Sequence, residues 1–460
     1  TKDTVHFPTS LLKTIAQPYH IATEQLPVKG VPFPDLNAKK LVSWGVVEGT
    51  TIGYIYVLDW WGVPRGDTKI LFRQAVDELL HINNVSGLII DFRTNFGGVV
   101  DYANDGFKQL FNFDPTNNFS RAIRIAGSDH NAFTFSPPEA FLNFTPGHAI
   151  FDRPIAVLTG PQGGSAGDYN AFRMRFHPMV RFFGKRTNGA YTNSSVVNEG
   201  IWYNSYSYRI DNGSVYSKYN NEGFMTHKSF PVDEEIWLTQ AGVAKGEDGV
   251  VTRALEWITT LTHAHSAALD RSFYRPGLDS VFFKATLANP LNHASATSAI
   301  IADINGSVRD SILLYNDGLH GDGSAGDSVW GCGILAPSDE NMFTISMRTD
   351  DITNGTYRQL PKVRRFTTAG PIVCLGETSA VVPQWGETVN FRFKIRNDGK
   401  LSPASAVTGN IRLLDTSANI AFGNLMSIGD FIAGQERLSS IVGITFSSFG
   451  SGKRKVPFEI

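Results

Sequence analysis

The chain has 460 residues, of which 42% are hydrophobic and 18% are charged, and its formal net charge at pH 7 is -2. This length suits roughly two to four domains, and the composition is that of a globular protein rather than a disordered chain. The basic excess typical of nucleic-acid-binding surfaces is missing, and no apolar run approaches the roughly 18 residues of a membrane-spanning helix. We therefore expect no nucleic-acid partner and no membrane span.

The chain begins at Thr1, without an initiator methionine or a signal-peptide pattern. We interpret it as a processed or truncated product, and residues 1–40 as a linker or the remnant of an upstream domain. The two cysteines, Cys332 and Cys374, are too few for a disulfide framework or a thiolate metal site. The sequence is compatible both with one disulfide between them and with two free thiols.

Residues 41–267 alternate between short apolar runs and segments whose apolar residues have helical spacing. Apolar runs closed by turns are typical of buried strands, and their alternation with helices implies a mainly parallel sheet with helices on its faces. The predicted strands are 52–58, 87–92, 154–158 and 180–184, and the predicted helices are 68–81, a segment ending near 111, 169–176 and a segment ending near 262.

Two segments within this region, 112–150 and 193–230, are rich in Asn, Ser, Tyr and Phe and have little periodicity. Insertions of this length either cover a substrate or are tolerated surface loops, and the sequence leaves both open. After residue 268 the helical spacing disappears, and β-like runs alternate with turn residues. We expect two all-β sandwich domains there, at 268–371 and 372–460, that are immunoglobulin-like in size and residue composition.

A glycine pair follows the second predicted strand, where residues 91–98 read Asp-x-Arg-x-Asn-x-Gly-Gly. Two adjacent glycines at the carboxyl end of a strand let backbone N–H groups approach a ligand without a side chain in the way. Such amides suit an oxyanion hole, which needs donors within about 3 Å of the developing charge. The alternative is a tight strand–helix turn in which Asp91 and Arg93 form a structural ion pair.

A serine follows the third predicted strand, where residues 163–168 read Gly-Gly-Ser-Ala-Gly-Asp and open a helix. A serine on such a sharp turn exposes its hydroxyl. The helix N-terminus adds unpaired N–H groups and the positive end of the helix dipole, which favour an oxyanion. The alternative is an N-cap serine in a flexible loop.

In this order and spacing, the two motifs resemble those of the tail-specific (C-terminal-processing) serine peptidases. That family includes the tricorn core and the repeats of interphotoreceptor retinoid-binding protein. Residues 184–189 resemble its Gly-x-x-Thr-x-Gly segment, and residues 232–239 resemble its Pro-Asp-x-x-Val-x-x-Thr segment. The resemblance covers about residues 41–262. It implies an α/β crotonase-like (Clp protease-like) core at 41–267 and hydrolysis of peptide bonds through an acyl-enzyme, with no cofactor for catalysis.

The resemblance also implies roles for individual residues. Ser165 takes the nucleophile position. The amides of Gly98 (or Gly97) and Ala166 take the oxyanion-hole position. Asp168 occupies the site where relatives usually have Glu. Polypeptide substrates and a secreted, periplasmic or cell-surface location follow from the same resemblance.

The general base of the family is missing from the expected positions. One branch carries a lysine directly after the Gly-x-x-Thr-x-Gly segment, where this chain has Ala190, and Lys185 is out of register. The other branch uses a histidine from an N-terminal helical region, and His6 and His20 lack that context. A serine without a base is a weak nucleophile at neutral pH. We expect the base in a segment upstream of Thr1; the alternatives are that one of these histidines approaches, or that the protein is inactive.

Two other functions stay open. Residues 163–167 match the Gly-x-Ser-x-Gly elbow of α/β-hydrolases, which would make the protein an esterase with His263 or His265 as the base. That elbow normally follows its strand directly, whereas residues 159–162 intervene here. A binding or scaffold protein that kept the fold and lost the base is the other alternative.

A separate glycine-rich segment, residues 316–327, carries Asp317, Asp322 and Asp327. Calcium takes carboxylate oxygen ligands of this kind, although the spacing is not that of an EF-hand. A β-turn held by Asx-type hydrogen bonds explains the same pattern. A structural calcium site and a plain turn are therefore both open.

Overall fold

The computed structural model divides the chain into two compact units. Unit 1 comprises Thr1–Gln109, Phe113–Asn143 and Arg153–Thr259, and unit 2 comprises Leu110–Asn112, Phe144–Asp152 and Thr260–Ile460. The structure describes residues 25–34, 41–62, 67–114, 119–124, 132–135, 142, 148–190, 196–202, 206–211, 213–217, 223–224, 228–229, 231–339, 341–368, 372–398, 404–432, 434–447 and 455–460.

The strands and helices of unit 1 alternate along much of its length. The described strands are β1 (Val42–Val46), β2 (Ile52–Val57), β3 (Gly87–Asp91), β4 (Phe119–Arg124), β5 (Phe133–Phe135), β6 (Ile155–Thr159), β7 (Val180–Gly184), β8 (Val196–Trp202), β9 (Tyr206–Asp211), β10 (Gly213–Ser217), β11 (Gly223–Phe224) and β12 (Glu234–Glu235). The described helices are α1 (Asp67–Asp77), which continues as a π-helical turn (Glu78–Ile82), a 3₁₀ turn (Val100–Ala103) leading into α2 (Asn104–Leu110), α3 (Ala166–Met174), α4 (Gln240–Lys245) and α5 (Gly249–Thr260).

A six-stranded sheet in the order β1-β2-β3-β6-β7-β12 forms the centre of unit 1. Only the β1–β2 pair is antiparallel, so the sheet is mainly parallel, as the sequence predicts. Every residue of β2, β3 and β6 is buried, which explains why these strands are continuous apolar runs. Because β3, β6 and β7 are parallel neighbours, the turns that follow them lie at the same edge of the sheet.

The structure departs from the sequence predictions at element ends and in the two insertions. The helix after the serine begins at Ala166, earlier than the predicted start at residue 169. Both segments predicted as insertions contain described strands. β4 and β5 join β10 and β11 in a four-stranded sheet, and β8 pairs with β9. The sequence does not predict these strands, because their mixture of polar and aromatic residues lacks the apolar run that is typical of a buried strand.

Part of the predicted N-terminal linker, residues 25–34, contacts the sheet. The Tyr56 hydroxyl on β2 donates to the carbonyl of Leu26 at 3.0 Å and accepts from the N–H of Val28 at 3.2 Å. Gln25 and Val31 are buried. This stretch is therefore packed on unit 1 rather than extended into solvent.

Unit 2 is built from strands. Among the described residues of the whole chain, no helix is long and apolar enough to cross a membrane. The described strands of unit 2 are β13 (His263–Leu269), β14 (Phe273–Tyr274), β15 (Ser280–Ala288), β16 (Ser295–Asp303), β17 (Val308–Leu313), β18 (Val329–Leu335), β19 (Asn341–Asp351), β20 (Thr356–Thr368), β21 (Ile372–Ser379), β22 (Thr388–Asn397), β23 (Ala404–Asn410), β24 (Arg412–Leu413), β25 (Ala418–Phe422), β26 (Leu425–Phe431), β27 (Glu436–Leu438), β28 (Val442–Phe446) and β29 (Phe458–Glu459).

The sheets of unit 2 separate into two groups along the chain. β13-β15-β18 and β14-β20-β19-β16-β17 lie before residue 369, while β21-β22-β28-β25 with β27, β23-β26 and β24-β29 lie after residue 371. No pairing between described strands crosses residues 369–371. The later group encloses an apolar cluster that includes Phe393, Met426 and Val442. Cys332 and Cys374 fall in different groups, and both are free thiols.

A buried ion network joins the end of β3 to the start of α5 in unit 1. The Arg93 guanidinium lies 2.8 Å from Oδ2 of Asp91 through Nη2, and 2.8 Å from Oδ2 of Asp248 through Nη1. The Tyr54 hydroxyl donates to Oδ2 of Asp91 at 2.6 Å. Asp248 also accepts from the Val250 N–H in the first turn of α5. The network therefore connects two elements that are far apart in the sequence.

The two carboxylates of this network stabilise the buried charge of Arg93. Burial alone lowers the pKa of Arg93, but the charges of Asp91 and Asp248 raise it well above its ordinary value. Burial, with the neighbouring charge of Asp91, raises the pKa of Tyr54 in the same way. The predicted ion pair of Asp91 and Arg93 is thus present, and Asp248 is a third member that the sequence did not indicate.

Replacing Asp248 with asparagine should lower the free energy of unfolding by about 2 kcal/mol, because the buried charge of Arg93 loses one of its two carboxylate partners. Asparagine still caps a helix, so the loss reports the missing charge rather than the missing cap. Urea unfolding of Asp248→Asn beside the unmodified protein measures the difference.

The matched control is Asp105→Asn, whose carboxylate lies 3.3 Å from Lys69 at the surface. Exposed ion pairs contribute less than about 1 kcal/mol, so this change should have little effect. Equal losses of unfolding free energy in the two variants would show that the network around Arg93 stabilises the fold no more than a surface ion pair does.

Candidate active site

The turns after β3, β6 and β7 meet at one edge of the parallel sheet. The N–H of Gly164 donates to the carbonyl of Asn95 at 3.1 Å, which joins the turn after β6 to the turn after β3. The N–H of Asn188 donates to the carbonyl of Gly163 at 2.7 Å, which joins the turn after β7 to the turn after β6. The three motifs that the sequence singled out therefore form one site.

Ser165 is exposed at this site. It lies directly before α3 with φ 54° and ψ -120°, and its side chain makes no capping hydrogen bond to the helix. Its neighbours Gly164 and Ala166 are buried, whereas Ser165 itself is exposed. A positive φ is unusual for a non-glycine residue, and strain of this kind is concentrated at functional sites. The structure thus contradicts the alternative of an ordinary N-cap serine.

The glycine pair after β3 lies directly against this serine. Gly97 and Gly98 have φ values of 125° and 131°, which favour glycine. A Cβ atom on Gly97 would lie 2.9 Å from Cβ of Ser165, and one on Gly98 would lie 2.5 Å from the carbonyl carbon of Trp60. Both glycines are therefore needed for close approach, the first to the serine and the second to Trp60.

The two glycine amides are not equivalent. The N–H of Gly97 donates to Oδ1 of Asn95 at 3.1 Å, so it is already used inside the protein. Within the part of the chain that the structure describes, the N–H groups of Gly98 and Ala166 have no acceptor. The sequence left Gly97 and Gly98 as alternatives for the oxyanion hole, and this difference favours Gly98.

Asp168 lies in the first turn of α3 and is buried. Its Oδ1 accepts from the N–H of Gly189 at 2.9 Å, and its Oδ2 accepts from the N–H of Ala190 at 2.8 Å. Burial raises the pKa of Asp168, and hydrogen bonds, among them those from the backbone of Gly189, Ala190 and Ser165, oppose that rise. The carboxyl group thereby holds the turn after β7 beside α3.

No base contacts Ser165 among the residues that the structure describes, since its hydroxyl has no hydrogen-bond partner there. The Ala190 position, where one branch of relatives has lysine, is bound through its amide to Asp168. The amine of Lys185 lies 5.0 Å from the ring centroid of Trp237. His6 and His20 lie outside the described residues.

The histidines required by the esterase alternative belong to unit 2, on β13. Nδ1 of His263 lies 3.0 Å from the carbonyl oxygen of Leu261, and Nδ1 of His265 lies 2.9 Å from Oγ of Ser266. Residues 160–164 separate the end of β6 from Ser165, unlike the elbow of an α/β-hydrolase. These observations do not favour the esterase.

The aspartates of the predicted calcium loop bind the loop itself. Asp322 accepts from the N–H groups of Gly318 and His320, and Asp327 accepts from the N–H of Ser324. In the described ranges, no group of three or more His, Cys, Asp or Glu side chains is placed to hold a metal ion. These contacts favour the alternative of an Asx-type turn, including at Asp317, and calcium binding stays a prediction.

Residues 51–222 match the profile of peptidase family S41. The match covers less than half of the chain, and it shows that these residues are similar to that peptidase family. The match includes both glycine-rich turns and Ser165, and it confirms the predicted resemblance at the level of the peptidase family. An α/β-hydrolase esterase is not favoured, because the family is one of serine peptidases.

Named relatives cover parts of the chain. The nisin-resistance protein of Lactococcus lactis subsp. lactis is 27% identical over 194 residues, which are 41% of this chain and 54% of that protein. The chain thus spans about half the length of this curated relative. A lipoprotein from Streptococcus agalactiae is 16% identical with a TM-score of 0.35, covering 48% of this chain and 70% of that one. The photosystem II D1 C-terminal processing protease is 16% identical with a TM-score of 0.30, covering 43% and 48%.

Asp168 should make the stability of unit 1 depend on pH. Because its pKa is raised in the folded state, its contribution to stability is fully present below the unfolded value near 3.8 and is lost as the pH rises through the folded value. The unmodified protein should therefore lose stability relative to Asp168→Asn over that interval. Urea unfolding of both proteins at a series of pH values measures the trend, and a relative gain with rising pH would contradict it.

Proposed function

We propose that the protein is a serine endopeptidase that acts through an acyl-enzyme on Ser165. The observation that carries the proposal is an exposed, strained serine at the start of α3, in a turn that is hydrogen-bonded to the turn of the glycine pair, together with the unused backbone N–H groups of Gly98 and Ala166. Acyl transfer needs such donors about 3 Å from the oxygen that becomes negatively charged. The α3 N-terminus adds the positive end of its dipole at the same point.

The chemistry follows from this arrangement. Oγ of Ser165 attacks the carbonyl carbon of the scissile bond and loses its proton to a base, while the carbonyl oxygen becomes an oxyanion bound by Gly98 and Ala166. Collapse of the tetrahedral intermediate breaks the C–N bond, and the leaving amine takes the proton. Water then attacks the ester carbonyl and regenerates the serine. We place the base in a segment outside the described residues.

The finer features of the fold belong to the same proposal. We assign residues 41–267 to a crotonase-like (Clp protease-like) peptidase core of the tail-specific type and residues 268–371 and 372–460 to two β-sandwich modules. The mainly parallel sheet supports the first assignment, and the absence of described strand pairs across 369–371 supports the second. Polypeptide substrates outside the cytoplasm, in a secreted, periplasmic or cell-surface setting, complete this proposal.

One observation favours a second candidate, a binding protein with the same fold and no turnover. Alanine stands at residue 190, where part of the family has its lysine base, and the amide of Ala190 is bound by Asp168. Nothing in the described ranges replaces that lysine next to Ser165. The labelling experiment below separates this candidate from the peptidase.

A fluorophosphonate probe should label the full-length protein at Ser165, because the activated hydroxyl attacks phosphorus as it attacks a carbonyl carbon. Ser165→Ala should abolish labelling. Mass spectrometry of the labelled peptide, together with cleavage of unfolded polypeptide substrates, measures the outcome.

The matched control is Ser338→Ala, which removes an exposed serine of unit 2 and should leave labelling unchanged. Equal labelling of Ser165→Ala and the unmodified protein would overturn the assignment of the nucleophile. A folded, unlabelled protein with its native N-terminus would favour the binding protein.

A further inference from the structure

Asn95, the central asparagine of the Asp-x-Arg-x-Asn-x-Gly-Gly motif, is completely buried at the active site. Its Nδ2 donates to the carbonyl of Val57 at the end of β2, at 3.0 Å. Its Oδ1 accepts from the N–H of Gly97 at 3.1 Å. The side chain thus uses its donor and its acceptor on two different segments, which fixes its orientation.

The backbone of Asn95 holds the nucleophile turn. Its carbonyl accepts from the N–H of Gly164, the residue before Ser165, at 3.1 Å. A Cβ on Gly167 would lie 2.0 Å from this same carbonyl oxygen, so the first turn of α3 packs directly on it. One residue therefore contacts both the glycine pair and the turn that carries the serine.

The bond from Gly97 to the side chain of Asn95 determines which amide can serve as an oxyanion donor. The N–H of Gly97 is occupied by this bond. The N–H of Gly98 has no acceptor among the described residues. If Oδ1 of Asn95 were removed, the N–H of Gly97 would be a buried donor without an acceptor, which is an unfavourable state. The glycine pair would then be free to turn toward another acceptor.

We propose that Asn95 is a positioning residue for catalysis. It selects Gly98 rather than Gly97 as the oxyanion donor and holds that donor in register with Ser165. The inference rests on the proposed peptidase function, because it concerns the oxyanion site of that same reaction. Asn95 does not touch the substrate, and it acts through the backbone of Gly97 and Gly164.

Asparagine fits this place better than its closest substitutes. Aspartate keeps the acceptor for Gly97 but places a carboxylate oxygen against the Val57 carbonyl, so two acceptors face each other, and it adds a negative charge beside the developing oxyanion. Serine can accept from an N–H two residues ahead as asparagine does, although more weakly. Alanine provides neither bond. The rate of acylation should therefore decrease in the order Asn, Ser, Ala.

The test measures how fast a fluorophosphonate probe labels the full-length protein and its Asn95→Ala and Asn95→Ser variants. Misplacing a reacting group by about 1 Å costs about 100-fold in rate. We expect Asn95→Ala to lower the limiting rate of labelling about 100-fold while the half-saturating probe concentration changes little. Asn95→Ser should recover a large part of that loss. Circular dichroism and thermal unfolding establish that each variant is folded.

Asn397→Ala is the matched control. Asn397 is also completely buried and donates from Nδ2 to a backbone carbonyl, that of Phe431, but it lies in unit 2. It should lose stability without losing labelling rate. If the Asn95 variants label as fast as the unmodified protein, Asn95 is only structural and the inference fails while the peptidase stands. If the unmodified protein is not labelled at Ser165, the proposed function fails first.

Discussion

The buried guanidinium of Arg93 lies between the carboxylates of Asp91 and Asp248, and the active-site turn begins at this ion network. A charge without its partner at this depth would cost several kcal/mol, so the position of one member restricts the other two. Asp91 ends the central strand β3, while Asp248 directly precedes α5 and accepts from its first turn. The network therefore fixes where the chain leaves the sheet, and the turn through Asn95 to Gly98 starts from that point.

From there the site is held by backbone contacts rather than by a cluster of functional side chains. Asn95 connects the glycine pair to the serine turn, and Asp168 connects α3 to the turn after β7. These contacts leave the N–H groups of Gly98 and Ala166 without an acceptor among the described residues. Such preorganised donors need no rearrangement when charge develops, which is how electrostatic stabilisation lowers a barrier. The buried polar groups of this site position the backbone, and under the proposed function the base belongs to a segment outside the described residues.

Sequence reasoning recovered the parts of this arrangement that depend on local patterns. The central strands were recognisable because both faces of a parallel sheet are covered, and Ser165 was recognisable because glycines surround it at the start of a helix. Asp248 was not, since its partner Arg93 is distant in sequence. The sequence also does not predict which of Gly97 and Gly98 supplies the oxyanion donor, because only their hydrogen bonds in the structure distinguish the two N–H groups. The spacing of Asn95 and Gly97, two residues apart, is the usual Asx-turn signal and is the one clue that the sequence held.

The central claim is that Ser165 transfers acyl groups with Gly98 and Ala166 as the oxyanion donors. A crystal structure of the full-length protein after reaction with a phosphonate inhibitor tests it most directly, because the bound phosphonyl oxygen imitates the oxyanion. The account predicts a bond from Oγ of Ser165 to phosphorus, with one phosphonyl oxygen about 3 Å from the N–H nitrogens of Gly98 and Ala166. Gly97 should still donate to Asn95. A phosphonyl oxygen bound by the N–H of Gly97, or an adduct on another residue, would contradict the account.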